Sequence, residues 1–374
     1  LPIFSYANQL PNKRIVYSKQ TSDPKTYGLI KKEYFAYDIE RKRKLLLFEL
    51  NHQNYNNFRI KQESFSPAGN ALVSLNDSTQ LDIDIGIGAK KIVVYNNYLE
   101  KPRIIFSAVG NQALVFTTVF STKGDQIAFA LVYKSKNSGE LNYQIYIYDL
   151  IKQKHRIIKE GKGTFANHSI LAPVTWVNDD KQLLLSDVYG SEGAALACCL
   201  DKLFLINSNG TNLNEINAKN REMIVSPTGN LITSADGKDQ KFTAPGYKFD
   251  FNTTQLIVYD LISREIAPVA SDSASIYRVA RWSPNGQKIL YTRHIPNDGD
   301  TPETYKVQEE YYIYDGAKHS SLRVDSIKEK IIEWRRQELG ISWMLEGEYN
   351  QAKLVVDGRT VDSGDLSVLY PTFK

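Results

Sequence analysis

Short apolar runs rich in Val, Ile, Leu, Tyr and Phe recur along the chain, each closed by a polar cluster holding Gly, Pro, Asn or Asp. This pattern predicts strands joined by tight turns. In "RWSPNGQKILYTR" (281–293) an aromatic residue precedes a Ser-Pro-Asn-Gly turn, and a strand follows. The same unit returns as "FSPAGNALVSL" from Phe65, "FSTKGDQIAFALVY" from Phe120, "WVNDDKQLLLSDV" from Trp176 and "VSPTGNLITS" from Val225. A stretched copy begins at Phe4 and a degenerate one at Trp343, with spacings of 49 to 61 residues. Proline presets φ for the turn, and glycine takes the positive φ that closes it.

A second pattern keeps step with the first. It is an apolar strand ending in an aromatic or aliphatic residue plus Asp or Asn, then a polar turn and a short strand. Its copies carry Asp38, Asn96, Asp149, Asn207, Asp260 and Asp315. Two interleaved patterns with one period make the chain a repeat protein, and four strands per period describe one blade of an all-β propeller. One propeller domain over 1–374 is expected, with seven four-stranded antiparallel blades; the alternative is six plus closing strands. The tail is read as four short strands, "ISWML", "AKLVVDG", "RTVDS" and "LSVLYP". Closure is expected where "LPIFSY" meets "VLYPTF". One helix interrupts the strands near 326–339. Ser326 and Glu329 form a capping box, Ile327, Ile331 and Trp334 share a face, and Gly340 ends it.

The units "WSPNGQKILY" and "YIYDGAKHSSLRV" resemble the repeat of TolB-like propellers, which is shared with the propellers of tricorn-type and prolyl-oligopeptidase-type peptidases. The resemblance covers nearly the whole chain. It departs from the Ser-Pro-Asp-Gly consensus most at Phe4, Trp176 and Trp343. It implies a fold rather than a function, and a periplasmic or extracellular setting. The chain opens on Leu1 rather than Met, which fits removal of a leader.

Composition narrows this picture only slightly. With 46 basic residues against 42 acidic, the net charge of +4 is too small to call for a nucleic-acid partner. The densest cationic run, "ERKRKLLLF" (40–48), reads as a strand edge or turn. No stretch reaches the length of an apolar membrane span. The two cysteines, Cys198 and Cys199, are adjacent, so they form either a vicinal disulfide or two small thiols.

Function is expected in the loops. In a propeller the Ser-Pro turns and the turns after Tyr-Asp share one face, which the short turns here leave plain. The opposite face receives the long segments 76–90, 186–202, 234–254 and 292–308, three of them in consecutive blades. A protein or peptide partner is expected on that rim, at Tyr189, Glu192, Lys241, Tyr247, Phe249, His294, Asp298 and Asp300. Catalytic signals are poor: the histidines are isolated and no Gly-x-Ser-x-Gly elbow occurs. No cofactor is expected. Calcium is the alternative, at Asp82 and Asp84 or at Asp298 and Asp300, although neither loop has the spacing of a known calcium site. The rival function is a carbohydrate- or small-molecule-active hydrolase or lyase working at the central channel. Oligomeric state is left open.

Overall fold

The computed structural model describes residues 14–22, 29–51, 59–65, 71–76, 90–95, 103–110, 112–134, 140–163, 170–188, 202–216, 222–236, 242–243, 248–249, 254–272, 275–296, 307–339, 343–347 and 351–370. The chain begins with β1 (Arg14–Ser22), β2 (Leu29–Asp38) and β3 (Arg43–Asn51). A first blade follows, β4 (Arg59–Phe65), β5 (Ala71–Asn76), β6 (Lys91–Tyr95) and β7 (Arg103–Ser107). The second is β8 (Gln112–Phe120), β9 (Gln126–Lys134), β10 (Leu141–Asp149) and β11 (Lys154–Gly163). The third is β12 (Ile170–Val177), β13 (Gln182–Val188), β14 (Leu203–Asn207) and β15 (Asn214–Ile216). The fourth contains β16 (Glu222–Val225), β17 (Leu231–Asp236), a small hairpin of β18 (Phe242–Thr243) and β19 (Lys248–Phe249), then β20 (Thr254–Asp260) and β21 (Ile266–Asp272). The fifth is β22 (Ile276–Trp282), β23 (Lys288–Pro296), β24 (Val307–Asp315) and β25 (Ser320–Val324). Helix α1 (Ile327–Leu339) leads to β26 (Trp343–Glu346), β27 (Ala352–Val356) and β28 (Arg359–Tyr370).

Among the described residues five sheets are four-stranded and antiparallel, β18 and β19 form a two-stranded one, and a seventh has the order β26-β27-β28-β1-β2-β3. Among the described residues there are thus five four-stranded blades, not seven, and the first and last motif copies share one six-stranded sheet. Its cause is visible in β28. The tail was expected to break between "RTVDS" and "LSVLYP", but the backbone runs on through Gly364 as one strand of 12 residues. Its first half pairs with β27, and its second half, Asp365 to Tyr370, pairs with β1. The C-terminal strand thus closes on Arg14–Ser22; "LPIFSY" lies outside the described residues.

The turns explain the sequence pattern. Ser121, Ser226 and Ser283 each accept, through Oγ, the amide five residues on, at 3.0, 3.1 and 2.8 Å. Gly124, Gly229 and Gly286 then close the turn at φ of 70 to 72°. In the third blade Asp180 holds the glycine position at φ 66°, after Asn178 and Asp179 at 52° each. Short polar side chains tolerate this left-handed backbone better than others do. The Asp of the second pattern caps its own turn: Asp149 Oδ1 accepts from the Ile151 and Lys152 amides, and Asp260 Oδ1 from Ile262 and Ser263. Tyr-Asp is a turn device.

Neighbouring blades are joined by equivalent bonds. The Trp176 indole donates to the Val119 carbonyl at 3.3 Å, and the Trp282 indole to Ile224 at 3.1 Å. In each case an inner-strand tryptophan reaches the inner strand of the preceding blade. Asp180 adds contacts to the Thr122 amide and hydroxyl, both 2.7 Å, and to the Lys123 amide at 3.1 Å. Apolar clusters fill the same seams; Trp176, Leu183 and Ile206 of the third blade, for example, pack with Ala128, Ile145 and Ile147 of the second. Helix α1 starts as predicted, with Ser326 Oγ accepting the Glu329 amide at 3.2 Å, and it buries Trp334.

Candidate functional site

The segments 189–201, 237–253 and 297–306 each join the second strand of a blade to the third, in three consecutive blades. Their strand ends therefore open on one face, opposite the serine turns. The described side chains there form fixed pins. Asp187 is fully buried at the end of β13, its Oδ1 accepting from the Lys202 amide at 3.0 Å, while its own amide donates to the Lys202 carbonyl at 3.2 Å. This clamps both ends of the 189–201 segment together.

At the root of 297–306 lies a larger network. Tyr277, Arg293 and Glu310 stand in one cross-strand rank of the fifth blade. The Arg293 guanidinium reaches Asp272 of the fourth blade at 2.8 Å, Ser275 Oγ at 3.0 Å and Glu310 at 3.2 Å. Tyr277 donates to Asp272 at 2.7 Å, Tyr312 to Glu310 at 2.9 Å, and Arg323 pairs with Glu310 at 3.0 Å. Burial pulls the Arg293 pKa down, but Tyr312, Asp272 and Tyr277 together hold it above the usual guanidinium range. Tyr312 and the two arginines hold Glu310 below the usual carboxylate range against partial burial. Burial, then Asp272, pushes the Tyr277 phenol up. Two carboxylates balance two guanidiniums, so the network rivets two blades together under the loop rather than moving protons.

Of the residues expected on this rim, His294 is largely buried beside Glu309, with Nδ1 3.5 Å from its Oε1. Phe249 sits in β19, opposite Phe242. Tyr189, Glu192, Lys241, Tyr247, Asp298 and Asp300 lie outside the described residues, as do Asp82, Asp84, Cys198 and Cys199. Among the described residues no group of three or more His, Cys, Asp or Glu is placed to hold a metal, and no helix is long and apolar enough to cross a membrane. Arg293 escaped the sequence reading although it adjoins His294. Its partners Asp272 and Glu310, and Arg323 behind Glu310, come from three strands and two blades, so no local spacing announces them.

The turn face was expected to be plain, yet it holds a cavity of about 690 Å³ between the fourth and fifth blades. Trp282, Tyr314, Val258 and Ile289 contribute its apolar surface; Asp260, Ser263, Glu265, Gln287 and His319 supply polar groups. The Tyr314 hydroxyl and His319 Nδ1 are 3.1 Å apart.

Comparison with protein families and with curated proteins gives no match. Solved structures similar to this chain include the oligogalacturonate lyase of Vibrio parahaemolyticus, at 9% identity and TM-score 0.51, covering 84% of this chain and 79% of that one. An oligogalacturonate lyase in complex with manganese follows at 12% identity and TM-score 0.50, covering 96% and 90%. TolB from Acinetobacter baumannii is also among them, at 14% identity and TM-score 0.36, covering 96% and 84%. At such identities the likeness speaks for the fold alone: the chain is a β-propeller, with one helix among the described residues.

Proposed function

We propose that this chain is an exported binding propeller that recognises a protein or peptide with the face carrying 189–201, 237–253 and 297–306. The observation that carries the reading is the contrast between faces. Opposite the rim, the backbone polar groups are taken up by repeated turn hydrogen bonds. On the rim, three long connections join strands of consecutive blades, and the roots of two of them, 189–201 and 297–306, are held by Asp187 and by the Arg293 network. Long loops on a rigid support suit macromolecular recognition. Tyr189, Glu192, Lys241, Tyr247, Phe249, His294, Asp298 and Asp300 are the contact residues this reading assigns.

The test replaces 189–201 and 237–253 with short Gly-Ser linkers and places a photo-crosslinker at position 294, outside both segments. The reading requires one partner to be crosslinked in the wild type and lost from both shaved variants. Retention of every partner after shaving overturns it. The two lyase neighbours supply the rival outcome: unsaturated products from oligogalacturonate incubated with this chain and manganese would make it an enzyme instead.

A further inference from the structure

The cavity on the turn face has a specific origin. In four blades the residue after the pattern's Asp or Asn donates its amide to a turn carbonyl: Leu150 to Asp125, Ser208 to Lys181, Leu261 to Asn230 and Gly316 to Gln287, all at 2.8 to 2.9 Å. These four positions are therefore structurally equivalent. Leu261 is buried in the seam between the third and fourth blades, and Leu150 packs into the seam between the first and second. At Ser208 the seam is packed by Leu213. In the fifth blade the position is Gly316, and Ala267 and Ala317, which line the same opening, are also small. The seam that leucine fills elsewhere is left open here, over the buried rings of Trp282 and Tyr314.

The charge at this opening has one sign. Asp260 and Glu265 line it, and no lysine or arginine is among its described lining residues. Its size falls in the range of small-molecule sites, with an apolar floor and few polar groups. We propose that this inter-blade cavity is a binding site for a small organic cation, an amine on an aromatic or branched aliphatic body. The hydrocarbon part rests on Trp282 and Tyr314, and the ammonium meets the carboxylates of Asp260 and Glu265. Aromatic faces and carboxylates both favour a cation over an anion of the same shape. The site lies on the face opposite the proposed partner rim, so each idea stands or falls alone.

The probe is phenethylamine, with phenylacetate as its anionic counterpart, titrated by calorimetry and by saturation-transfer NMR. The wild type is expected to bind phenethylamine with a Kd of about 0.1–1 mM and phenylacetate about tenfold more weakly. Gly316→Leu restores the residue found in sister blades. It should remove binding while leaving the melting temperature equal or higher. The φ of Gly316 is not positive, and although an added Cβ would meet the Gln287 carbonyl at 3.1 Å, Leu150 and Leu261 keep the same hydrogen bond with leucine in place. Glu265→Gln, in an exposed turn, should weaken the amine about threefold at low salt without touching the fold. No amine binding up to millimolar concentrations, binding that survives Gly316→Leu, or equal affinity for phenylacetate would each overturn the proposal.

Discussion

At the scale of single residues, the blades are held together by groups that reach backward. Trp176 and Trp282 each donate an indole N–H to a backbone carbonyl of the preceding blade. Trp176→Phe keeps most of the apolar surface but leaves the Val119 carbonyl without that donor, at a cost of about 1–2 kcal/mol, measured by urea denaturation. Asp180 makes a sharper test. It occupies a backbone conformation that suits glycine and spends its carboxylate on Thr122 and Lys123. Asp180→Gly loses only the hydrogen bonds, whereas Asp180→Ala loses them and keeps the left-handed strain. The alanine variant should therefore be less stable than the glycine variant by about 1 kcal/mol. Such residues show what a sequence reveals. The serine and glycine of each turn act within a six-residue window, so the repeat was plain even at Trp176, where Asn-Asp-Asp replaces the usual residues. The difference between Asp-Gly at 315–316 and Asp-Leu at 149–150 and 260–261 was equally visible. Its meaning was not, because an unfilled seam belongs to two blades at once.

At the scale of elements, β28 joins the ends of the chain, and Asp362 is its anchor. Its carboxylate accepts from Lys44 at 2.8 Å, from Tyr17 at 3.0 Å and from Lys19 at 3.3 Å. Burial alone would raise its pKa, but Lys44, the Ser363 amide and Tyr17 outweigh that and hold it below the usual carboxylate range. A carboxylate whose pKa is depressed by folding contributes stability at pH values above its unfolded pKa, near 4. That contribution disappears as pH falls through the lower folded value. Asp362→Asn should thus cost about 2 kcal/mol at pH 7 and leave a shallower loss of stability below about pH 4, as followed by circular dichroism across a pH series. Removing residues 366–374 deletes most of the ladder between β28 and β1 and should lower the melting temperature steeply; an unchanged melting curve would show that closure lies elsewhere. The blade number was hidden in this element. Gly364 looks like a break between two strands, and only the pairing partners on either side, 27 and 1 in strand order, make it one.

At the scale of the whole molecule, the two faces differ in kind. Among the described residues, one carries short turns that satisfy their own backbone groups, with a cavity between the fourth and fifth blades, and the other carries the strand ends of the long connections. That division follows from strand order, which the sequence was enough to see, whereas the cavity on the turn face was not legible there. The supports beneath the loops were not visible, since Arg293 draws on Asp272, Glu310 and, through Glu310, Arg323. If those supports carry the rim independently of what the loops contain, replacing 297–306 with a Gly-Ser linker should change global stability by less than about 1 kcal/mol. Arg293→Met, by contrast, takes the guanidinium from Asp272 and Glu310, leaving Tyr277 on the first and Tyr312 with Arg323 on the second, and should cost about 2–3 kcal/mol, with the larger part appearing as faster unfolding in stopped-flow traces.

The shared sheet also sets a timetable. Tyr17 and Asp362 are 345 residues apart, so during synthesis β1, paired early with β2 on one side, must wait for that whole span before its second neighbour emerges. Until then its edge offers unpaired amides and carbonyls to any other nascent chain, which is an invitation to misassembly. Synthesis halted between β25 and β28 would leave the five four-stranded blades complete and the first sheet still unfinished. A circular permutant that links the present ends by a short tether would bring those strands together early, and should refold faster and with less aggregate than the natural order.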